Sequence, residues 1–192
     1  MTKITNGITN ILIESGTISE KERKLYSYCI GGVVEMGANL VLTLLLGVVM
    51  GKFAETLLFL VIIIPLRSSA GGFHANNTNS CFVLSILMYL STIFVAGMIS
   101  SKLNYIYSIP IFVICSVCIL VLSPVDCKNK RLSKAEKAKQ KKICIFIILI
   151  ISIVFSVMVA LKLNNFCFLI STCVLAIFSM MIAGKIKDSI AK

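Results

Sequence analysis

The stretch ICIFIILIISIVFSVMVAL, residues 143–161, contains no charged side chain and is apolar except for two serines. A helix of about 20 apolar residues is as long as the hydrocarbon core of a bilayer is thick, so this stretch predicts a transmembrane helix. Three other stretches have similar length and composition, at residues 81–99, 106–122 and 166–183. Together the four segments indicate a chain that folds in a membrane.

Two weaker apolar segments precede these four, at residues 33–50 and 53–66. Glu35 lies near the start of the first, and the second is short and ends at Pro65. The pair either crosses the bilayer twice or forms a re-entrant hairpin, and both alternatives leave the following polar stretch on the side of the N-terminus. The prediction is an all-α polytopic membrane protein with about six transmembrane helices.

Composition agrees with one membrane domain over residues 1–192. Hydrophobic residues make up 58% of the chain, charged residues 14%, and the mean hydropathy is +0.98. Soluble domains are usually about half apolar and about a quarter charged. Residues 1–30 are polar and amphipathic, which excludes a cleaved signal peptide.

The N-terminal arm, residues 1–30, begins with isoleucines at helical spacing, including Ile8 and Ile11. This pattern predicts a short amphipathic helix at the membrane surface, ended by Gly16. Ser19 and Glu22 have the spacing of a capping box and predict the start of a second helix.

Positive charge is distributed unevenly among the polar segments. Sixteen of the nineteen Lys and Arg residues lie in the N-terminal arm, at Arg67, in residues 128–142 and in the C-terminal tail. With six crossings these segments share one side, and the positive-inside rule makes that side cytoplasmic. Both termini and the stretch after the second segment are therefore predicted to be cytoplasmic, in a multi-pass protein of the cell membrane. The net charge of +11 does not indicate nucleic-acid binding, since no zinc finger, RNP motif or groove-binding basic helix accompanies it.

The chain has eight cysteines but a single histidine, which excludes a histidine-rich metal site. Cys115 and Cys118 form a CxxC inside an apolar run, where helix packing is favoured over redox or zinc chemistry. No cofactor and no metal are predicted.

The longest polar break in the first hundred residues after the arm is RSSAGGFHANNTNSC, residues 67–81, predicted as a loop over 67–80. Cys81 opens the third apolar helix after the capping residues Asn79 and Ser80, and the helix dipole there favours a thiolate. His74 could accept the thiol proton, and Arg67 would add positive potential. The pattern indicates a Cys–His nucleophilic site.

Several neighbours could support this site. Gly71 and Gly72 permit a turn, and backbone N–H groups or the amides of Asn76 and Asn77 could form an oxyanion hole. Either asparagine, or Glu35, could orient the histidine. Glu35 could instead anchor Arg67 or lie at the membrane interface, the alternative that its position favours slightly. A lone histidine and a lone cysteine can also have no function, and the spacing alone leaves that open.

The motif Arg-x-x-x-Gly-Gly-Phe-His-Ala, with a cysteine seven residues after the histidine, resembles AgrB, the accessory gene regulator peptidase of Gram-positive bacteria. The likeness extends to the N-terminal arm, the apolar segments and a proline followed by a Lys-rich loop. The resemblance implies that Cys81 is the nucleophile, that His74 is its base and that the required arginine is Arg67. It also implies the substrate, an AgrD-like propeptide, which loses its C-terminal tail and is closed into a thiolactone or lactone ring for quorum sensing.

A basic stretch covers residues 126–142 and is predicted as a cytoplasmic loop. As a charge run it indicates topology and contact with anionic lipid, while the resemblance adds docking of an acidic propeptide tail. The candidate substrate-binding residues are Lys128, Lys130, Arg131, Lys137, Lys139, Lys141 and Lys142.

Two other function classes remain as alternatives. One is a small transporter or exporter of the same peptide, although the last four apolar segments carry no acidic residue. The other is a non-catalytic membrane scaffold. A homodimer is also left open.

Overall fold

The computed structural model describes residues 2–71, 78–98, 101–124 and 133–190. Most of these residues are helical because the apolar segments satisfy their backbone polar groups internally, as a bilayer demands. The helices are α1 (Thr2–Glu14), α2 (Arg23–Val49), α3 (Phe53–Ala70), α4 (Thr78–Met98), α5 (Ser101–Leu122), α6 (Lys134–Ala160) and α7 (Asn164–Ile190), with a 3-10 turn at Glu20–Glu22 before α2.

Five of these helices, α2, α3, α4, α6 and α7, contain a stretch long and apolar enough to cross a membrane, and α5 has a shorter apolar stretch at Ile106–Leu122. The prediction of an all-α polytopic membrane protein is confirmed. The two segments predicted to be weaker belong to helices of 27 and 18 residues, α2 and α3. At 1.5 Å per residue these are about 40 and 27 Å long, so α2 exceeds and α3 nearly matches the hydrocarbon thickness.

The core lies around α7, which packs against α3, α4, α5 and α6. Its side chains Cys167, Cys173 and Met181 are fully buried, so α7 is the central helix of the bundle. The Ser171 hydroxyl donates a hydrogen bond of 2.8 Å to the carbonyl of Ser108 and so joins α7 to α5. The outer faces of the other helices carry exposed Val, Ile, Leu and Phe side chains, as expected where the solvent is lipid.

A close helix hairpin joins α2 to α3. A Cβ added to Gly47 would collide with the side chain of Thr56, so only glycine allows this approach. The Thr56 hydroxyl also lies 2.8 Å from the hydroxyl of Tyr89, a fully buried residue of α4. The Tyr89 ring packs edge-on against Phe59, with the ring centroids 5.2 Å apart. The hairpin is thereby tied to α4.

The predicted amphipathic helix is α1, and the predicted break at Gly16 has a positive φ of 70°. The helix packs on α2 through its polar face, because Thr5 and Thr9 are buried while Ile8 and Ile11 are exposed. The Ser19 N–H donates to the Glu22 carboxylate over 3.1 Å, as the predicted capping box requires. The arm is therefore a helical hairpin with an outward isoleucine face.

Two segments predicted as loops are partly helical. Within residues 67–80, Arg67 to Ala70 form the end of α3, and α4 has already begun at Thr78. Within residues 126–142, α6 begins at Lys134, after the cap Ser133. A helix can continue beyond the bilayer with polar and charged residues, because water solvates these side chains and lipid does not. Hydropathy therefore marks the end of the apolar segment and not the end of the helix.

Candidate functional site

Cys81 lies in the first turn of α4 and is half-buried. Because the helix begins at Thr78, Asn79 and Ser80 are helical residues rather than the caps that the sequence predicted. Cys81 is nevertheless close enough to the N-terminus for the helix dipole to favour negative charge on its sulfur. A half-buried position also leaves the sulfur partly accessible, in contrast to the fully buried Cys144.

Arg67 on α3 contacts this cysteine from the neighbouring helix. Its Nη2 lies 4.0 Å from Cys81 Sγ, and its Nη1 donates a 3.2 Å hydrogen bond to the Ser85 hydroxyl. Ser85 in turn donates to the carbonyl of Cys81 over 3.0 Å. The contact to sulfur is long, so it acts mainly by placing a positive charge beside the Cys81 side chain. The shorter hydrogen bond to Ser85 holds the Arg67 side chain in this position.

The end of α3 is shaped by Pro65 and Gly71. The carbonyl of Pro65 accepts hydrogen bonds from the hydroxyls of Ser68 and Ser69, at 2.8 and 3.0 Å. The helix continues past the proline by one turn, which carries Arg67. Gly71 then has φ 75° and ψ −161°, a conformation that only glycine adopts readily, and its N–H donates to the Arg67 carbonyl over 3.3 Å. The predicted turn at Gly71 is thus present.

Part of the predicted site lies outside the described residues. These positions are Gly72, His74, Asn76 and Asn77. The pairing of His74 with Cys81 and the composition of an oxyanion hole therefore stay predictions.

Glu35 reaches the site from α2. Its Oε1 is buried and has no hydrogen-bond partner among the residues that the structure describes. The charge of Arg67 acts on this carboxyl group, so the two side chains are electrostatically coupled. Glu35 as a whole residue is only half-buried, so the interfacial position that the sequence favoured stays a prediction. Arg67 thus contacts a thiol on α4 and acts through its charge on a carboxyl group of α2.

Sequence reasoning missed Asn39, one helical turn beyond Glu35 on α2. Its Oδ1 is also buried without a partner in the described part of the chain. An amide within an apolar segment, four residues after an acidic side chain, was the signal that could have identified it, because residues at i and i+4 share a helix face.

The basic stretch is helical from Lys134. Ser133 and Glu136 form a capping box, with the Ser133 N–H donating to the Glu136 carboxylate over 2.8 Å. Lys137 is half-buried, whereas three further lysines are exposed, namely Lys139, Lys141 and Lys142. Lys128, Lys130 and Arg131 lie outside the described residues. Three lysines within two helical turns present a concentrated positive field to solvent.

No group of three or more His, Cys, Asp or Glu side chains suited to a metal ion occurs in the described ranges. Cys115 and Cys118, the CxxC pair, lie on α5 as free cysteines, the first buried and the second half-buried.

Comparison with known proteins covers nearly the whole chain. The family model "Accessory gene regulator B" matches residues 5–183. A putative AgrB-like protein 2 of Clostridium perfringens strain 13 is 29% identical over 129 residues, which are 64% of this chain and 60% of that protein. Protein FsrB of Enterococcus faecalis is 36% identical over 84 residues, 44% of this chain and 33% of that protein. The matches thus span three fifths or less of these relatives, and no solved structure matches the chain.

Proposed function

Since the chain belongs to the accessory gene regulator B family, we propose that it is a membrane cysteine endopeptidase acting on an AgrD-like propeptide. It removes the C-terminal tail of the propeptide and promotes closure of a thiolactone or lactone ring. Membership in the family itself connects the chain with the processing of quorum-sensing peptides. The contact of Arg67 Nη2 with Cys81 Sγ at 4.0 Å is the observation that carries the proposal, because it gives the sulfur a cationic neighbour.

The proposed reaction has two steps. His74 takes the thiol proton of Cys81, and the thiolate attacks the scissile carbonyl. The carbon–sulfur bond forms, the peptide carbon–nitrogen bond breaks, and His74 returns the proton to the departing amine of the tail. A thiol or hydroxyl of the bound peptide then attacks the resulting thioester, closes the ring and restores the Cys81 thiol.

Ring closure competes with hydrolysis of the thioester. An attacking group within the same bound peptide has a high effective concentration, which favours closure. A partly buried cysteine at the membrane edge also limits access of water, as the half-buried position of Cys81 allows.

In the proposed site Arg67 stabilises the thiolate, and the charge of Glu35 on α2 helps to anchor the guanidinium. The electrostatic coupling of Glu35 with Arg67 supports this assignment. Two bonds of Arg67 to α4, one to Ser85 and one to Cys81, support a role in alignment as well as in charge. The residue that orients His74 stays open between Glu35, Asn76 and Asn77.

The first turns of α6 are proposed to dock the acidic tail of the propeptide and anionic lipid. The exposed lysines Lys139, Lys141 and Lys142 support this role. Two helices, α4 and α5, separate the end of α3 from the start of α6 along the chain. If both cross the bilayer, the lysines lie on the same side as Cys81, and the charge distribution makes that side the cytoplasm.

The test uses the full-length protein in liposomes with a synthetic AgrD-like propeptide. Mass spectrometry measures the released tail and the thioester on the protein. We expect Cys81→Ala to release no tail and Cys118→Ala, a matched half-buried cysteine on α5, to release it at the wild-type rate. Peptide movement across the liposome without cleavage would favour the transporter, and unchanged cleavage by Cys81→Ala would exclude the proposed nucleophile.

A further inference from the structure

Two buried oxygens on α2 lack hydrogen-bond donors in the described part of the chain, Glu35 Oε1 and Asn39 Oδ1. Buried polar atoms without partners are rare, because burial removes their hydrogen bonds to water and no protein group replaces these bonds. Two such atoms one turn apart on the same helix therefore indicate that their hydrogen-bond donors come from outside the described fold.

The orientation of α2 directs this pair toward the proposed active site. Glu35, Asn39, Thr43 and Gly47 follow one another at intervals of four residues and form one row on the helix. Gly47 contacts Thr56 of α3, and Thr43 is buried. Glu35 is coupled with Arg67, also on α3. Asn39 lies between these points in the same row and therefore on the face of α2 that is turned toward α3.

Arg67, whose charge acts on Glu35, donates to neither of the two buried oxygens in the described fold. Arg67 directs one guanidinium nitrogen to Ser85 and another to Cys81. The carboxyl and amide oxygens are acceptors, so the missing groups must be N–H or O–H donors. A peptide bound for cleavage at Cys81 would bring a row of backbone N–H groups to this place.

The spacing of the two acceptors fits an extended peptide. Residues four apart on a helix are separated by about 6 Å along its axis. In an extended chain the N–H groups of alternate residues point to the same edge and are about 6.6 Å apart. One edge of an extended peptide could therefore donate to both oxygens without distortion.

We propose that Glu35 and Asn39 form a binding site for the backbone of the propeptide, in which they accept hydrogen bonds from two alternate N–H groups beside the scissile bond. This inference rests on the proposed function. It adds that the substrate binds in an extended conformation and that Asn39 is one of the residues that bind it. Recognition of backbone rather than side chains would position peptides of different sequence in the same way before attack by Cys81.

The test removes one N–H group of the peptide at a time. A series of propeptides is synthesised in which single amides near the cleavage site are replaced by esters. Each is cleaved in liposomes by the wild-type protein, by Asn39→Leu and by a control, Ser116→Ala. Ser116 also has a buried hydroxyl without a partner among the described residues, but it lies on α5.

We expect one ester position to lower kcat/KM of the wild type by about tenfold, mainly through KM, as for loss of one hydrogen bond in binding. Asn39→Leu should lower kcat/KM about tenfold with the all-amide peptide. With that ester it should cause no further decrease, since the hydrogen bond is already absent. Ser116→Ala should behave as the wild type. Asn39→Asp keeps an acceptor and should keep the sensitivity to the ester.

Other results would overturn the inference. If no ester affects the wild type, or if the losses from the ester and from Asn39→Leu multiply, the oxygens bind water or His74 and not the peptide. If Asn39→Leu does not insert into the membrane, the ester series measured with the wild type and with Asn39→Asp still tests the inference. Cleavage by Cys81→Ala would refute the proposed function instead, so the two failures are distinguishable.

Discussion

Arg67 on α3 places its Nη2 4.0 Å from Cys81 Sγ at the start of α4, although fourteen residues separate them along the chain. Six of the residues between them, 72–77, lie outside the described ranges. The contact joins the end of α3 directly to the start of α4 through two described side chains.

Removing the guanidinium should slow thioester formation. We expect Arg67→Ala to lower kcat/KM for tail release at least about tenfold, because the thiolate loses its cationic neighbour and α4 loses the bond to Ser85. Arg67→Lys should retain part of the activity, since it keeps the charge and loses the forked geometry. Ser68→Ala is the control, an exposed neighbour bonded only to its own helix in the described fold. Equal activity of all three variants would remove Arg67 from the mechanism.

Cys81→Ala and His74→Ala should each abolish cleavage while membrane insertion stays normal. Cys81→Ser should keep at most weak activity, because an alkoxide forms far less readily than a thiolate. Tail release in liposomes measures the activity, and protein recovered in the membrane fraction controls for insertion. Undiminished turnover by His74→Ala would falsify the Cys–His assignment.

Cys81 should face the cytoplasm. In a variant whose only cysteine is Cys81, a membrane-impermeant maleimide added to intact cells should leave the protein unlabelled until the cells are opened. The reason is the concentration of Lys and Arg on the side that includes Arg67. A variant with its only cysteine introduced beside Lys52, on the opposite side, should be labelled in intact cells. Rapid labelling of Cys81 from outside would reverse the topology.

Neutralising Lys137, Lys139, Lys141 and Lys142 to Gln should raise KM for the propeptide and flatten its dependence on salt. The lysines attract an acidic peptide over a range of about 8–10 Å at physiological ionic strength, and the chemistry occurs elsewhere, at Cys81. Topology and expression are checked in parallel because these charges also orient the helix. A correctly inserted variant with unchanged KM and salt dependence would limit the stretch to a topology signal.

Gly47→Ala should destabilise the bundle, since the added Cβ would collide with Thr56. We expect a loss of about 1–3 kcal/mol, typical of overpacking, seen as a lower Tm in detergent. Gly37→Ala on the same helix is the control, because a Cβ there meets no atom within 4 Å. It should stabilise slightly, as alanine favours a helix. A similar Tm for both variants would mean that α2 and α3 can move apart without loss of stability.

The number and class of the membrane segments could be predicted because a bilayer imposes a length and an apolar composition on each crossing. The helix ends could not, since Arg67 and Lys134 continue α3 and begin α6 in water, where hydropathy has no effect. Cys81 and Arg67 were identified from a motif as nucleophile and supporting residue, and the structure places Arg67 Nη2 4.0 Å from Cys81 Sγ. Asn39 was missed because its spacing of four residues from Glu35 is a weak signal by itself, and the buried position of its Oδ1 adds what the sequence lacked.

The pair formed by α3 and α4 is joined at two separate levels of the membrane, by Thr56 with Tyr89 and by Arg67 with Ser85. Sliding one helix past the other by a single turn, about 5.4 Å, would break both connections at once. Both connections fit only one register of the two helices, so the spacing of guanidinium and sulfur depends partly on a tyrosine two helical turns away from the cysteine.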